Sequence, residues 1–331
     1  MSLSRGMLLR VAASAAALSF AGIFCGEPAR AGVEQLPRYL QETLAQIGPL
    51  FRKDIGTGTL TTVAAFRPLL RTAPRDGVTV IKNLSYGGHP RQLLDIYQPT
   101  PRSPAPIVIF VHGGAWVEGE RDHWGEAYGN IPTWFARQGL LGINATYRLA
   151  PAAKWPAAAE DVAGMVAWAK ANGPKYGGDP DRIVLMGHSA GATNVAGYVF
   201  DKALQPPGGP GIAGAVLISG RYRVFLDPAD PNAGNMQAYF GADQTQYRNR
   251  SPITHIGSAP RVPIFIVIAE FENPGLDLRG AELFNALCER DGRCPRFSRL
   301  RRHNHFSQVL AFNTPDESLG REILDFIALR R

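Results

Sequence analysis

Ile183–Gly191 has the sequence IVLMGHSAG, an apolar run that ends in Ser189 with glycines two residues before and two residues after it. If Ser189 sits on a sharp turn between a strand and a helix, Gly187 and Gly191 let those two elements pass close together. Such a turn holds the serine hydroxyl above the end of a sheet, where it can act as a nucleophile. Because glycine-rich turns with a serine also occur without a chemical role, the rest of the chain must supply context.

A second glycine-rich turn supplies groups that could stabilise negative charge. The apolar run Ile107–Val111 is followed by His112-Gly113-Gly114-Ala115-Trp116. Backbone N–H groups of Gly113 and Gly114, with that of Ala190, could hold the oxyanion that forms when a serine attacks a carbonyl. A tight turn after a strand would account for one glycine but not for the whole pentapeptide.

A serine nucleophile needs a base, and the base needs a carboxylate that orients it. With a nucleophile on a strand-to-helix turn, the expected chain order is serine, acid, histidine. Of the seven histidines, only His303 and His305 follow Ile268. His188 adjoins Ser189 and is expected to pack away from it, while His112 is expected to shape the glycine turn. The residues alone leave His303 and His305 as candidate bases.

The elements that must position these residues alternate along the chain. Short apolar runs of strand length alternate with helical patterns, which is typical of a mostly parallel sheet with helices on both faces. Ligands of such sheets bind beyond the carboxyl ends of the strands, where both glycine turns lie. Residues 222–260, rich in Asp, Pro, Asn and Gly, form the least regular segment and are expected to cover one end of the sheet.

The first part of the 331-residue chain is predicted to direct export. Arg5 and Arg10 precede the apolar run Val11–Phe24, and Ala29-Arg30-Ala31 matches a small-x-small cleavage site. Residues 1–31 are therefore interpreted as a signal peptide, with an uncleaved N-terminal anchor as the alternative. Residues 32–75 are predicted to be helical and 76–331 to form the catalytic domain, secreted or periplasmic, with no stable membrane span after cleavage.

Charge and cysteine content exclude some functions and favour one covalent link. The formal net charge of +7 is spread along the chain, apart from the cluster Arg296, Arg299, Arg301 and Arg302. Without an aromatic-interleaved basic stripe, nucleic-acid binding is not expected. Cys288 and Cys294 remain after cleavage, and an even count in an exported protein favours a disulfide over two independent thiols.

Four stretches together resemble one family of enzymes. They are HGGAW, GHSAG, YRLAPAAKWPAAAEDV and HNHFSQVLAFNTPDE, between about Leu94 and the C-terminus. They resemble carboxylesterases related to hormone-sensitive lipase, above all secreted feruloyl and acetylxylan esterase-like members. The resemblance implies the α/β-hydrolase fold and makes His305, the second histidine of H-N-H, the base. Arg302 stands where relatives often carry glycine.

The acid is assigned from the same resemblance. Relatives often show A-E-x-D-P after the preceding strand, and Glu272 falls on the aspartate position, with an additional Asn273 before Pro274. Glu270 and Asp277 stay as competitors. The family motif that contains Arg148 and Asp161 is interpreted as a structural pair under the serine turn.

The sequence therefore predicts a serine carboxylesterase with a Ser189-His305-Glu272 triad that cleaves small to medium esters through an acyl-enzyme. Its partner is a small-molecule ester, and neither a metal nor an organic cofactor is implied. Trp116, His123 and Trp124 are candidates for the substrate pocket, with core packing as the alternative. An arylformamidase-like amide hydrolase and a non-catalytic binding module stay open as other functions. The oligomeric state is not predicted.

Overall fold

Eight strands form one sheet at the centre of the described part of the chain, which comprises residues 33–101, 104–122 and 127–329 of a computed structural model. The strands are β1 (Val78–Ser85), β2 (Leu93–Pro99), β3 (Ala105–Val111), β4 (Leu141–Ala145), β5 (Gly178–His188), β6 (Gly214–Ile218), β7 (Ile264–Phe271) and β8 (Arg296–Asn304). Their spatial order is β1-β2-β4-β3-β5-β6-β7-β8. Strand β2 runs antiparallel to both of its neighbours, and every other pairing is parallel. The mostly parallel sheet expected from the sequence is confirmed.

Helices cover both faces of this sheet. They are α1 (Arg38–Ile47), α2 (Ile55–Thr72), α3 (Asn130–Arg137), α4 (Ala157–Asn172), α5 (Ala190–Phe200), α6 (Ala233–Phe240), α7 (Leu276–Asp291), α8 (Ser307–Leu310) and α9 (Ser318–Ala328). Successive side chains of a strand point to opposite faces. Ile107 of β3 accordingly packs in one apolar cluster with α4 and α5, and Val108 packs in a second cluster with α3 and α9. Burial on both faces explains why β3 is a continuous apolar run.

The two N-terminal helices pack against the loop that follows β8. Asp54 is the N-cap of helix α2, and its Oδ1 accepts a hydrogen bond from the Thr57 N–H at 2.9 Å. Phe66 of α2 lies in a third apolar cluster with Leu310 of α8. Among the described residues, no helix is long and apolar enough to cross a membrane. The helical segment thus contacts the region where the candidate base lies.

The segment 222–260 is more regular than the sequence indicated. It contains α6, which buries Met236, Tyr239 and Phe240 against the cluster that holds α4 and α5. The helix is only eight residues long and is flanked by Asp, Pro and Gly, so its local sequence carries a weak helical signal. Packing of its aromatic residues supplies the stabilisation that propensity does not.

Cys288 lies in the last turn of helix α7, and Cys294 lies in the turn between α7 and strand β8. Their Sγ atoms are paired, and the Cα atoms are separated by 4.2 Å. Gly292 lies between them with φ of +67°, a left-handed conformation that ends the helix at little steric cost. The predicted pairing of these two cysteines therefore agrees with the geometry of the turn.

Candidate active site

Ser189 occupies the turn between β5 and α5 in a conformation that few residues adopt. Its φ of 55° and ψ of −122° lie outside the regions favoured for L-amino acids, and its N–H donates to the Ile218 carbonyl at 2.9 Å. A Cβ on Gly191 would lie 2.2 Å from the Val111 carbonyl oxygen, and one on Gly187 would lie 2.5 Å from the Gly191 carbonyl oxygen. Both glycines are therefore required by close backbone approach, which was the steric interpretation of the motif.

The glycine turn after β3 lies beside this serine. A Cβ on Gly113 would lie 3.0 Å from the Ser189 Cβ. Gly114 has φ of +116°, and a Cβ there would overlap the Glu118 carbonyl oxygen at 2.1 Å. The His112 Nδ1–H donates to the Gly113 carbonyl at 2.6 Å, so this histidine shapes the turn as expected. The backbone of Gly113 and Gly114 can therefore approach a group bound at Ser189 without hindrance from a side chain.

His305 and Glu272 form a buried pair next to the serine. The His305 Nδ1–H donates to Glu272 Oε2 at 2.8 Å, and both side chains are buried. The other carboxylate oxygen, Oε1, accepts from the Ala269 N–H at 2.7 Å and from the Ser219 hydroxyl. These bonds fix the carboxylate, which in turn fixes the ring and directs its Nε2 away from Glu272.

Two spaces meet at Ser189. The outer cleft has a volume of about 400 Å³. It is lined by Leu60, Gly114, Tyr128, His305 and Phe306 around Ser189. The inner cavity has a volume of about 30 Å³. It is lined by Trp116, Thr193, Ser219, Arg221 and Leu276 around the same serine. Ser189 and His305 thus share the outer cleft, where a base could reach the serine or its substrate.

The two competing carboxylates have other partners. Glu270 Oε2 accepts from the Arg302 N–H at 2.6 Å, and its Oε1 lies 3.3 Å from Arg299 Nη2. Arg302 has φ of +61°, the left-handed conformation that glycine adopts more easily. Asp277 pairs with Arg52 of the N-terminal segment. Glu270 therefore holds the strained backbone before the H-N-H sequence, while Glu272 contacts the histidine.

The other candidate base, His303, belongs to a separate buried network. Its Nδ1 lies 3.0 Å from the Ser307 hydroxyl, and its Nε2 lies 3.0 Å from Asp316 Oδ2. All three side chains are buried. With both ring nitrogens bonded inside the fold, His303 holds the loop that carries His305. Sequence reasoning did not single out Asp316, whose only signal was its place near the end of the fourth motif.

His188 supports the base through the backbone. Its Nε2–H donates to the His305 carbonyl at 2.9 Å, and the two rings lie 4.6 Å apart between centroids. Burial lowers the pKa of His188 well below its ordinary value, and the nearby His305 lowers it further. A neutral His188 that anchors the base loop fits the packing role expected for it.

The remaining predicted pocket residues divide into two cases. Trp116 is buried, lies on Tyr239 at 5.5 Å between centroids, and donates from Nε1 to Asn194 Oδ1 at 3.0 Å. It also lines the inner cavity, so it is packed in the core and borders a space beside Ser189, while its role in substrate binding stays a prediction. His123 and Trp124 lie outside the described residues.

Arg148 and Asp161 form the structural pair that the sequence indicated. The Arg148 N–H donates to Asp161 Oδ2 at 2.7 Å, and Nε donates to Oδ1 at 2.8 Å. Asp161 lies in α4, so the pair ties that helix to the chain that follows β4.

Three residues around the serine were not singled out by sequence reasoning. Asn232 and Asn273 line both the outer cleft and the inner cavity. Leu60 of α2 lines the cleft from the N-terminal segment, which no motif linked to the site. The insertion of Asn273 into the acid motif was the one available signal.

Comparisons with known proteins agree with this geometry. A family profile described as BD-FAE matches residues 94–201. Esterase LipC of Mycobacterium tuberculosis is 39% identical over 205 residues, covering 56% of this chain and 49% of that protein. The probable carboxylic ester hydrolase LipM of the same organism is 30% identical over 251 residues, covering 66% and 53%. The chain spans about half the length of these curated relatives.

Solved structures show the same fold. Esterase B from Lactobacillus rhamnosis superposes with a TM-score of 0.68 at 18% identity, covering 88% of this chain and 96% of that one. A hyperthermophilic esterase from the archaeon Pyrobaculum calidifontis superposes with a TM-score of 0.66 at 22% identity, covering 89% and 97%. The chain has the α/β-hydrolase fold, and the resemblance to carboxylesterases of that fold is borne out. The amide hydrolase and the binding module gain no support from these relatives.

Proposed function

We propose that this protein is a serine carboxylesterase that cleaves small to medium esters through an acyl-enzyme. His305 Nε2 accepts the hydroxyl proton as Ser189 Oγ attacks the ester carbonyl carbon. When the tetrahedral intermediate collapses, the bond to the alcohol oxygen breaks and His305 returns the proton to the departing alcohol. Water then attacks the acyl-enzyme by the same route, which releases the carboxylic acid and restores the serine.

Glu272 stabilises the imidazolium that forms during each proton transfer. The negative oxygen of the intermediate accepts hydrogen bonds from the backbone N–H groups of Gly113, Gly114 and Ala190. Donors fixed before the reaction lower the barrier because they need no reorganisation as charge develops. The observation that carries the proposal is the 2.8 Å contact between His305 and Glu272 at the edge of a cleft that also holds Ser189.

The test is hydrolysis of p-nitrophenyl esters from acetate to palmitate. We expect activity on short esters, a loss of at least ~10⁴-fold in kcat for Ser189→Ala, and a loss of about 10³–10⁴-fold for Glu272→Gln. Ser258→Ala is the matched control, because this serine is exposed and its hydroxyl bonds only to a neighbouring turn carbonyl, that of His255. A folded protein without activity on any ester would overturn the proposal. Full activity in Glu272→Gln would overturn the assignment of the acid.

We further propose that the protein is exported, with residues 1–31 removed and Cys288 and Cys294 oxidised. The basic start, the apolar run and the cleavage pattern support export, and the two cysteines left after cleavage, whose Cα atoms lie 4.2 Å apart, support the disulfide. Expression of the full chain in a bacterial host, followed by mass spectrometry of the purified protein, tests both. We expect the N-terminus at Gly32 or its neighbour and no free thiol. An intact Met1 or two alkylated cysteines would contradict the respective part.

A further inference from the structure

The position of His305 assigns the two spaces around Ser189 to the two halves of an ester. This step rests on the proposed function. The histidine that takes the serine proton must also protonate the leaving alcohol, so the alcohol lies beside it. His305 lines the outer cleft and is not among the residues that line the inner cavity. The alcohol therefore occupies the outer cleft, and the acyl group extends into the inner cavity.

The inner cavity limits the size of the acyl group. Its volume is about 30 Å³. About 10–15 Å³ of such space is needed for one water-sized group, so two non-hydrogen atoms beyond the carbonyl fill it. Trp116 is held by its stack on Tyr239 and by its hydrogen bond to Asn194, so displacing its side chain costs free energy. Acyl groups of two or three carbons fit, whereas longer chains require movement of packed side chains.

The lining of this cavity mixes apolar and polar side chains, and several of the polar groups are already bonded within the protein. The Thr193 hydroxyl accepts from the Arg221 N–H at 2.9 Å, and the Ser219 hydroxyl bonds to Glu272. The Arg221 guanidinium is buried and paired with Asp230. These contacts leave the hydroxyls and the guanidinium with partners from the protein itself.

Asn273 differs from these three groups. Its side chain is almost fully buried, with 8% of the residue exposed, and it lines both the inner cavity and the cleft. Its Oδ1 has no hydrogen-bond partner among the residues that the structure describes. The residue as a whole still lines both spaces, so a polar group of a bound ligand can bond to the part of the carboxamide that faces them.

We propose that Asn273 selects esters of small 2-hydroxy acids, of which the glycolyl group is the simplest. A hydroxyl on the carbon next to the carbonyl falls within the two atoms that the inner cavity accommodates. Because a hydroxyl both donates and accepts, it can satisfy the carboxamide with either the oxygen or the nitrogen turned toward it. Asn273 is thus a specificity-determining residue for the acyl half, and it takes no part in proton transfer.

The test compares methyl glycolate with methyl propionate, since the two esters differ only by a hydroxyl in place of a methyl group. The readout is the ratio of their kcat/KM values in the wild type and in Asn273→Leu, so that the difference in intrinsic reactivity between the esters cancels. We expect the glycolate preference to fall about tenfold in Asn273→Leu, as for loss of one buried hydrogen bond. Asn285→Leu, on the exposed face of α7, is the matched control and keeps the wild-type ratio.

Each outcome separates this inference from the proposed function. Hydrolysis of both esters with equal ratios in the wild type and Asn273→Leu would overturn the role of Asn273 while the esterase stands. Absence of activity on every ester would instead overturn the proposed function.

If Asn273→Leu does not fold, the wild-type ratio is compared with that of hydroxide-catalysed hydrolysis. A wild-type ratio no higher than the hydroxide ratio would overturn the inference. A rise in kcat/KM from methyl propionate to methyl pentanoate would overturn the size limit.

Discussion

The H-N-H sequence contains two buried histidines, His303 and His305, which are separated by one residue and belong to different hydrogen-bond networks. Each ring bonds to a buried carboxylate, Asp316 for His303 and Glu272 for His305. His303 also bonds to Ser307, so both of its nitrogens are used within the fold. His305 bonds to its carboxylate through Nδ1 and lines the outer cleft that contains Ser189. A histidine in contact with a serine and a carboxylate is therefore not by itself a candidate active site.

What differs between the two networks is access to substrate. The cavity beside His303 holds about 10 Å³, whereas the outer cleft holds about 400 Å³. The serine of the first network, Ser307, is buried and accepts from the Asn304 N–H at 2.9 Å, while Ser189 stands on a strained turn at the cleft. We therefore expect the first network to stabilise the fold and, under the proposed function, the second to transfer protons.

Replacing each histidine by alanine should give the largest difference between the two networks. We expect His305→Ala to lose about 10⁵–10⁶-fold in kcat on p-nitrophenyl acetate with little change in unfolding midpoint, because the reaction loses its base. His303→Ala should lose about 2–4 kcal/mol of unfolding free energy, because Asp316 is left buried without its partner. Steady-state kinetics and urea unfolding measure the two effects. Equal losses of activity in the two folded variants would contradict the division of roles.

The carboxylates should show the same division with smaller effects. Compared with the loss expected for Glu272→Gln, Asp316→Asn should retain kcat within about tenfold and lose about 1–3 kcal/mol of unfolding free energy. The pH dependence of kcat/KM distinguishes the two, since only Glu272 contacts the ring that takes the proton. A shift of the pH profile in Asp316→Asn equal to that in Glu272→Gln would refute the distinction.

His188, which holds the His305 carbonyl, provides a test through pH and stability. Its pKa is lowered from the ordinary value of 6.5, so below that pH the unfolded chain binds a proton that the folded protein does not. Its contribution to the unfolding free energy should therefore be constant above pH 6.5 and fall by up to ~1.4 kcal/mol per pH unit below it. Unfolding in urea between pH 5 and pH 8 tests this. His188→Gln should reduce the slope, and an unchanged slope would assign it to other groups.

Arg302 should give the smallest effect. Glycine relieves the cost of a left-handed φ at this position but adds conformational freedom to the unfolded chain. We expect Arg302→Gly to raise the unfolding free energy by about 0.5–1 kcal/mol, with kcat within about twofold of wild type. Differential scanning calorimetry measures the gain. A lower midpoint would mean that the arginine side chain stabilises the loop by more than its backbone costs.

The fold was largely predictable because strand and helix signals lie in local patterns. The apolar run of β3 and the glycines around Ser189 each have one steric explanation, and the structure agrees with both. The short helix α6 escaped prediction because its stability comes from aromatic residues packed against distant elements. The local sequence does not encode such contacts.

Those features of the candidate site that depend on the order of residues along the chain were predictable. Chain order limited the candidate base to His303 and His305. The two histidines differ in the side chains that they contact in the fold. Asp316 and Ser307 occupy both ring nitrogens of His303. The choice among Glu270, Glu272 and Asp277 depended on which carboxylate reaches the ring, a distance that spacing does not encode. The space around Ser189 is set by residues far apart in the chain, such as Leu60 and Asn273.

The placement of α2 bears on how the outer cleft could vary between proteins of this fold. Leu60 and Thr59 of this helix form one side of the outer cleft, and Thr62 accepts a hydrogen bond from Asn304 Nδ2 at 2.8 Å. The segment lies ahead of every motif and outside the matched residues 94–201. Exchange of this segment would therefore replace one wall of the outer cleft while Ser189, His305 and Glu272 stay in place. Recombination at the stretch before β1 would thus change the shape of the cleft without a change in the residues proposed to do the chemistry.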